Sequence, residues 1–154
     1  MTQDRDPQAP PPAAPPFSIA VRVYYEDTDA GGIVYYANYL RFMERARTEW
    51  LRALGVHQEQ LAAAAGIQFV VRRADLDFLA AARLDDLITV SVHVARLART
   101  YVELEQTAAC AGRVLCRGKV TVACVRKADL RPAPIPQDMA VRLRGEGGDT
   151  RRPD

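Results

Sequence analysis

Cysteine, histidine, net charge and long apolar runs are all scarce in this chain. Three cysteines, Cys110, Cys116 and Cys124, occur among 154 residues. Their number is odd and no pair has C-x-x-C spacing, which argues against a disulfide framework or a zinc site and for reduced thiols in a cytoplasmic setting. The only histidines are His57 and His93, and neither lies in a G-x-S-x-G or comparable context. No Ser-His-Asp set is therefore supported. A net charge of +2 is too small to argue for a nucleic-acid partner. No apolar run reaches the length of a membrane span. The opening "MTQDRDPQAPPPAAPPFS" lacks a basic start followed by an apolar stretch, so it does not read as a secretory signal.

What is present is a globular composition. Hydrophobic residues make up 49% of the chain, and its length suits one domain with a real core. Residues 1–16 are rich in Pro and Ala and read as a disordered or polyproline-II tail, a spacer or an SH3-type ligand. Residues 144–154 are polar and Gly-rich and read as a second disordered tail. The domain is expected over 17–143.

Between the tails the pattern is α+β. "FSIAVRVYYED" alternates through Ile19, Val21, Val23 and Tyr25, which is strand periodicity. "NYLRFMERARTEWLRALG" changes period. Tyr39, Phe42, Met43, Ala46, Trp50, Leu51 and Leu54 recur at three- and four-residue steps, which makes an amphipathic helix, with Gly55 as its stop. "HQEQLAAAAG" reads as a short second helix. Four strands follow: "IQFVVRRADLDFL", whose alternation is imperfect, "DLITVSVHVARL", "TYVELEQTAAC" and "RVLCRGKVTVACVRK", the last two joined at Ala111-Gly112. Short connections imply an antiparallel sheet, and "DLRPAPIP" ends it. A long helix and such a sheet bury each other's apolar faces in two layers.

The stretch "YYEDTDAGGIVYYANYL" sets Glu26, Asp27 and Asp29 just before Gly31-Gly32 and a helix start. From spacing alone, Asp27, Thr28 and Asp29 can be loop residues or a helix cap, each worth roughly 1 kcal/mol. A metal site would need calcium-loop spacing, which D-x-D alone does not supply. The arrangement also suits chemistry. Glycines let backbone approach a ligand, and the first amides of a helix lack partners and favour negative charge.

"VYYEDTDAGGIVYYANYLRFMERARTEWLRALG", "FVVRRADLDFLAAARLDDLITV" and "ACVRKADLRPAPIP" together resemble the Tol-Pal-associated acyl-CoA thioesterases. These form part of the 4-hydroxybenzoyl-CoA thioesterase branch of the hotdog superfamily. The resemblance spans residues 17 to 140 in separate blocks. It implies a hotdog fold, a curved antiparallel sheet around a central helix, assembled as a homodimer or homotetramer. It also implies hydrolysis of acyl-CoA thioesters with no cofactor and no bound metal. In this branch the catalytic carboxylate is the second Asp of the D-x-D-x-x-G run, which falls on Asp29. The carbonyl-polarising amides fall near Val34, Tyr35 and Tyr36. Related sequences often carry His where this chain has Tyr36, and a Tyr donates a hydrogen bond without becoming a cation near neutral pH.

That chemistry is economical. A thiolate whose parent thiol has a pKa near ~8.5 leaves without much protonation. One carboxylate can act as general base or nucleophile, and helix-start amides can hold the oxyanion. Arg72, Arg73, Arg96, Arg99, Arg117 and Lys119 are candidates for CoA phosphates, and Tyr36, Tyr39 and Phe42 for the acyl slot. A thioesterase acting on acyl carrier protein, and a non-catalytic acyl-CoA-binding or scaffold protein, are the alternatives.

Overall fold

A computed structural model describes residues 15–146. Residues 1–14 and 147–154, which hold most of both expected tails, lie outside that range. Five strands form one antiparallel sheet: β1 (Phe17–Arg22), β2 (Ile67–Phe78), β3 (Leu87–Leu97), β4 (Tyr101–Cys110) and β5 (Arg113–Arg126). Their order is β1-β3-β4-β5-β2, so β1 and β2 are the edges. Three helices accompany them: α1 (Asn38–Ala53), α2 (Gln58–Ala65) and α3 (Gln137–Glu146).

The helix period foreseen for α1 has a direct physical outcome. Tyr39, Phe42, Met43, Ala46, Trp50 and Leu51 are buried, while Arg41, Glu44, Arg45 and Arg52 face solvent. This apolar face lies against β1, β3 and β4. The sheet answers with Ile88, Val90, Val102, Leu104 and Val120, all buried. Gly118 leaves room on β5 for side chains from α1 and β2. A Cβ there would stand 3.2 Å from both Met43 Cε and Leu76 Cγ.

β2 explains its own imperfect alternation. Val71 pairs with Val122 but Arg73 pairs with Thr121, so Arg72 is an extra residue in a bulge. The bulge returns Phe69, Val71, Ala74, Leu76 and Phe78 to one face despite the broken period. The β4–β5 hairpin turns at Ala111 and Gly112, both with positive φ (50° and 77°), a combination that suits the right-handed twist of the strands.

Two expectations need correction. β1 stops at Arg22, and Tyr25–Asp27 form a 3₁₀ turn instead of continuing the strand. Tyr25 is consequently 81% exposed, whereas Val23 is fully buried. β5 ends at Arg126, ahead of "DLRPAPIP", and α3 follows and buries Met139, Ala140 and Leu143. The expected domain boundary at 143 falls inside α3, which continues to Glu146. α3 itself was not foreseen: three apolar residues among polar ones are too weak a periodic signal, and burial against the rest of the domain supplies what local propensity lacks.

Candidate active site

The loop between β1 and α1 is closed at its neck by a bridge between Thr28 and Val34. Inside it, the Asp29 amide donates to the Ile33 carbonyl at 3.0 Å and the Gly32 amide to the Asp29 carbonyl at 3.0 Å. The β2–β3 connection holds the loop from the other side. Val34 N donates to Ala82 O at 2.9 Å, and Ala82 N reaches the Tyr39 hydroxyl at 3.3 Å.

The two aspartates of the D-x-D run separate by environment. Asp27 is buried. Its Oδ2 accepts from Tyr24 N at 2.8 Å, and its carbonyl accepts from Asn38 Nδ2 at 2.8 Å and Tyr35 N at 3.0 Å. It ties the 3₁₀ turn to the start of α1. Asp29 is exposed, and one oxygen only, Oδ1, is engaged, by Gly31 N at 2.8 Å. The second oxygen has no hydrogen-bond partner among the described residues. A carboxylate held by one oxygen and open at the other is oriented yet available to react.

The amides expected to polarise a carbonyl divide as sharply. Val34 N is spent on Ala82 O and Tyr35 N on Asp27 O. The amides of Asn38, Tyr39 and Leu40 close turns onto Tyr35, Tyr36 and Ala37. Among the described residues, the Tyr36 and Ala37 amides meet no acceptor, and they sit at the positive end of α1. Of Val34, Tyr35 and Tyr36, only Tyr36 keeps a free donor, and Ala37 joins it. Sequence spacing could not reveal this, because Ala82 is remote in the chain.

Aromatic rings wall the site. Tyr35 and Tyr36 have ring centroids 4.8 Å apart, and Tyr36 meets the edge of Phe78 at 5.8 Å. The Tyr35 phenol is held above its ordinary pKa, first by its contact with the Tyr36 phenol, with the Asp29 carboxylate adding to the effect. Tyr39 and Phe42, offered as acyl-slot residues, are core instead: both are buried, and Tyr39 packs on Phe42 at 6.1 Å. Phe78 was not foreseen, since only β2's position beside the loop brings it there.

Other chemistries find less support. Burial pushes the Cys116 thiol up to about 11, so it is a neutral core thiol at physiological pH. His57 and His93 are exposed. Among the described residues, no three His, Cys, Asp or Glu side chains gather to hold a metal ion, and no helix is long and apolar enough to cross a membrane. Of the basic candidates, Arg72 and Arg96 stack on one ring, Tyr101, at 4.7 and 5.8 Å.

Comparison with known proteins places this geometry in context. The family profile of the thioesterase-like superfamily matches residues 23–143. An acyl-CoA thioesterase, YbgC, of Haemophilus influenzae is 43% identical over 123 residues, covering 80% of this chain and 90% of its own. The crystal structure of a probable thioesterase from Bartonella henselae superposes with a TM-score of 0.74 at 34% identity, covering 77% of this chain and 98% of that one. A thioesterase from Thermus thermophilus, solved in complex with coenzyme A and Zn, gives a TM-score of 0.72 at 27% identity, covering 83% and 91%.

Proposed function

The chain belongs to the thioesterase-like superfamily, and from that premise we propose that it hydrolyses acyl-CoA thioesters with Asp29 as the reacting carboxylate. The observation that carries this reading is the half-engaged carboxylate of Asp29 beside the unpartnered amides of Tyr36 and Ala37. The free oxygen of Asp29 either takes a proton from the water that attacks the carbonyl carbon, or attacks that carbon itself to form a mixed anhydride that water hydrolyses once CoA has left. Negative charge then grows on the carbonyl oxygen. The Tyr36 and Ala37 amides, already oriented and without competing acceptors, stabilise it, and such donors are typically worth about 3 kcal/mol each. The C–S bond breaks, and CoA leaves as a thiolate that needs no strong general acid.

Coenzyme A is favoured over acyl carrier protein as the acyl carrier because the Haemophilus relative is named for acyl-CoA and the Thermus structure holds coenzyme A. A cytoplasmic setting fits the substrate, and it fits three free cysteines, two of them buried. A second copy pairing along β2, an open edge of twelve residues, is part of the proposal.

Asp29→Asn tests it. The substitution keeps shape and removes both base and nucleophile, so kcat should fall by roughly 10²–10⁴-fold. Asp27→Asn is the control. Asn can still accept from the Tyr24 amide, so turnover should stay within a few-fold of wild type and the effect should appear in thermal stability. Near-normal kcat in Asp29→Asn on the best wild-type substrate would refute the assignment and favour a non-catalytic acyl-CoA-binding protein.

A further inference from the structure

One polar arrangement on the face of the sheet that meets α1 takes no part in the chemistry at Asp29. Gln106 is fully buried in the middle of β4, on the face it shares with Val102, Leu104 and Ala108. Its Nε2 donates to the Met43 carbonyl of α1 at 3.0 Å, and its Oε1 accepts from Arg47 Nη1 at 2.9 Å. Gln106 thus fixes the direction of the Arg47 side chain. Arg47 stands in the wall of a cavity of about 150 Å³, otherwise mainly apolar, with Phe69, Val71, Val122 and Met139. A guanidinium carries five N–H donors, and Gln106 takes one. Among the described residues, no carboxylate lies within ion-pair distance of Arg47. Burial disfavours its charged form, and nearby Glu44 only partly offsets this. A partly buried cation with donors to spare favours an arriving acceptor.

Two rows of side chains lead from the Asp29 loop to this cavity. On α1, Ala37, Leu40, Glu44, Arg47 and Leu51 recur at three- and four-residue steps and share a face. On β2, the bulge aligns Val71, Ala74, Leu76 and Phe78, with Phe78 against Tyr36 at one end and Val71 in the cavity wall at the other. Leu40, Val71 and Phe78 are 43%, 51% and 49% exposed in the single chain, which leaves an apolar trough between the rows.

We propose that this trough receives the acyl chain and that Arg47, oriented by Gln106, binds an oxygen acceptor at the chain's far end. The proposal rests on the thioesterase reading and narrows its substrate to medium-chain acyl groups with a distal hydroxyl or carboxylate. Ala37 to Arg47 is ten helical steps, about 15 Å. An extended chain advances about 1.2 Å per bond, so about twelve bonds fit. Glu44 shares the wall, with its carboxylate accepting from the Thr48 hydroxyl at 3.1 Å. It repels a second carboxylate, which ranks the hydroxyl first.

The test compares kcat/KM of the full-length protein on dodecanoyl-CoA, ω-hydroxydodecanoyl-CoA and the CoA monothioester of dodecanedioic acid, in wild type, Arg47→Met and Arg47→Lys. Taking the ratio of two substrates within one variant cancels any loss of folded enzyme. Wild type should prefer the ω-hydroxyl over the plain chain about tenfold or more, as a hydrogen bond to a charged group allows. Arg47→Met should bring that ratio near one, and Arg47→Lys should restore part of it. A wild-type ratio near one, or a preference that survives in Arg47→Met, overturns the proposal while leaving thioester hydrolysis standing. Failure of wild type to cleave any thioester in a wider acyl-CoA panel would instead remove the reading on which it rests.

Discussion

Gly31 and Asp29 are coupled twice: the Gly31 amide donates to Asp29 Oδ1 at 2.8 Å, and a Cβ on Gly31 would sit 3.1 Å from that same oxygen. The carboxylate is therefore held against a residue whose missing side chain leaves it room. Gly31→Ala should push Oδ1 aside by a few tenths of an ångström and lower kcat about tenfold, since reactions that depend on near-attack geometry are sensitive to small displacements. Gly31 is exposed, so the melting temperature should hardly move. Steady-state kinetics and a thermal melt on the same preparation read both effects. Wild-type kcat in Gly31→Ala would show that the contact does not position the reacting group.

Tyr36→His should alter function more than stability. The ring is 61% exposed and touches Tyr35 and Phe78 at the mouth of the site. An exposed substitution of this kind should cost within about 0.5 kcal/mol. Imidazole titrates near ~6.5, so the variant should acquire a pH dependence of KM between pH 5 and 8 that wild type lacks. The backbone amide at 36 is unchanged, so kcat should survive. Unaltered kinetics across that pH range, with a lowered melting point, would reduce Tyr36 to a packing residue.

β2 predicts the assembly. It is the longer of the two edge strands, with twelve residues against six in β1, and Val71 and Phe78 along it are exposed. Long apolar edges are a liability that natural sheets cover. Sedimentation velocity at micromolar concentration should give a dimer or tetramer. A monomer there would mean that the edge stays open in solution and would overturn the pairing along β2.

Removing residues 1–16 should leave the enzyme intact. Its Pro- and Ala-rich composition offers little apolar surface for a core, and β1 begins at Phe17, whose pairing with Val92 starts the ladder. A chain starting at Phe17 should keep its melting temperature within about 2 °C, a shift equivalent to well under 1 kcal/mol for a domain of this size, and keep its kcat. A large loss of either would show that the tail packs on the domain or gates the site.

What the sequence determined by itself was local or periodic. The apolar steps of Tyr39, Phe42, Met43, Ala46, Trp50 and Leu51 dictated a helix and named its buried face, because a helical period admits one such face. The hairpin at Ala111-Gly112 and the α+β layering were legible for the same reason. Asp29 was singled out as a candidate through its resemblance to a family motif and not through periodicity, which left it a cap or a loop residue. Tertiary structure alone decided what each group was free to do. Asp27 and Asp29 are both carboxylates in one short run, and only folding buries the first against Tyr24 and leaves the second open. Val34, Tyr35 and Tyr36 all carry an amide, and only the arrival of Ala82 and Asp27 carbonyls consumes the first two. Gln106 interrupts an apolar face in the sequence pattern, but its meaning waits on Arg47 and Met43 arriving from α1. Hydrogen-bond capacity belongs to a residue type. Whether that capacity is spent depends on partners distant in the chain, and those are chosen by packing.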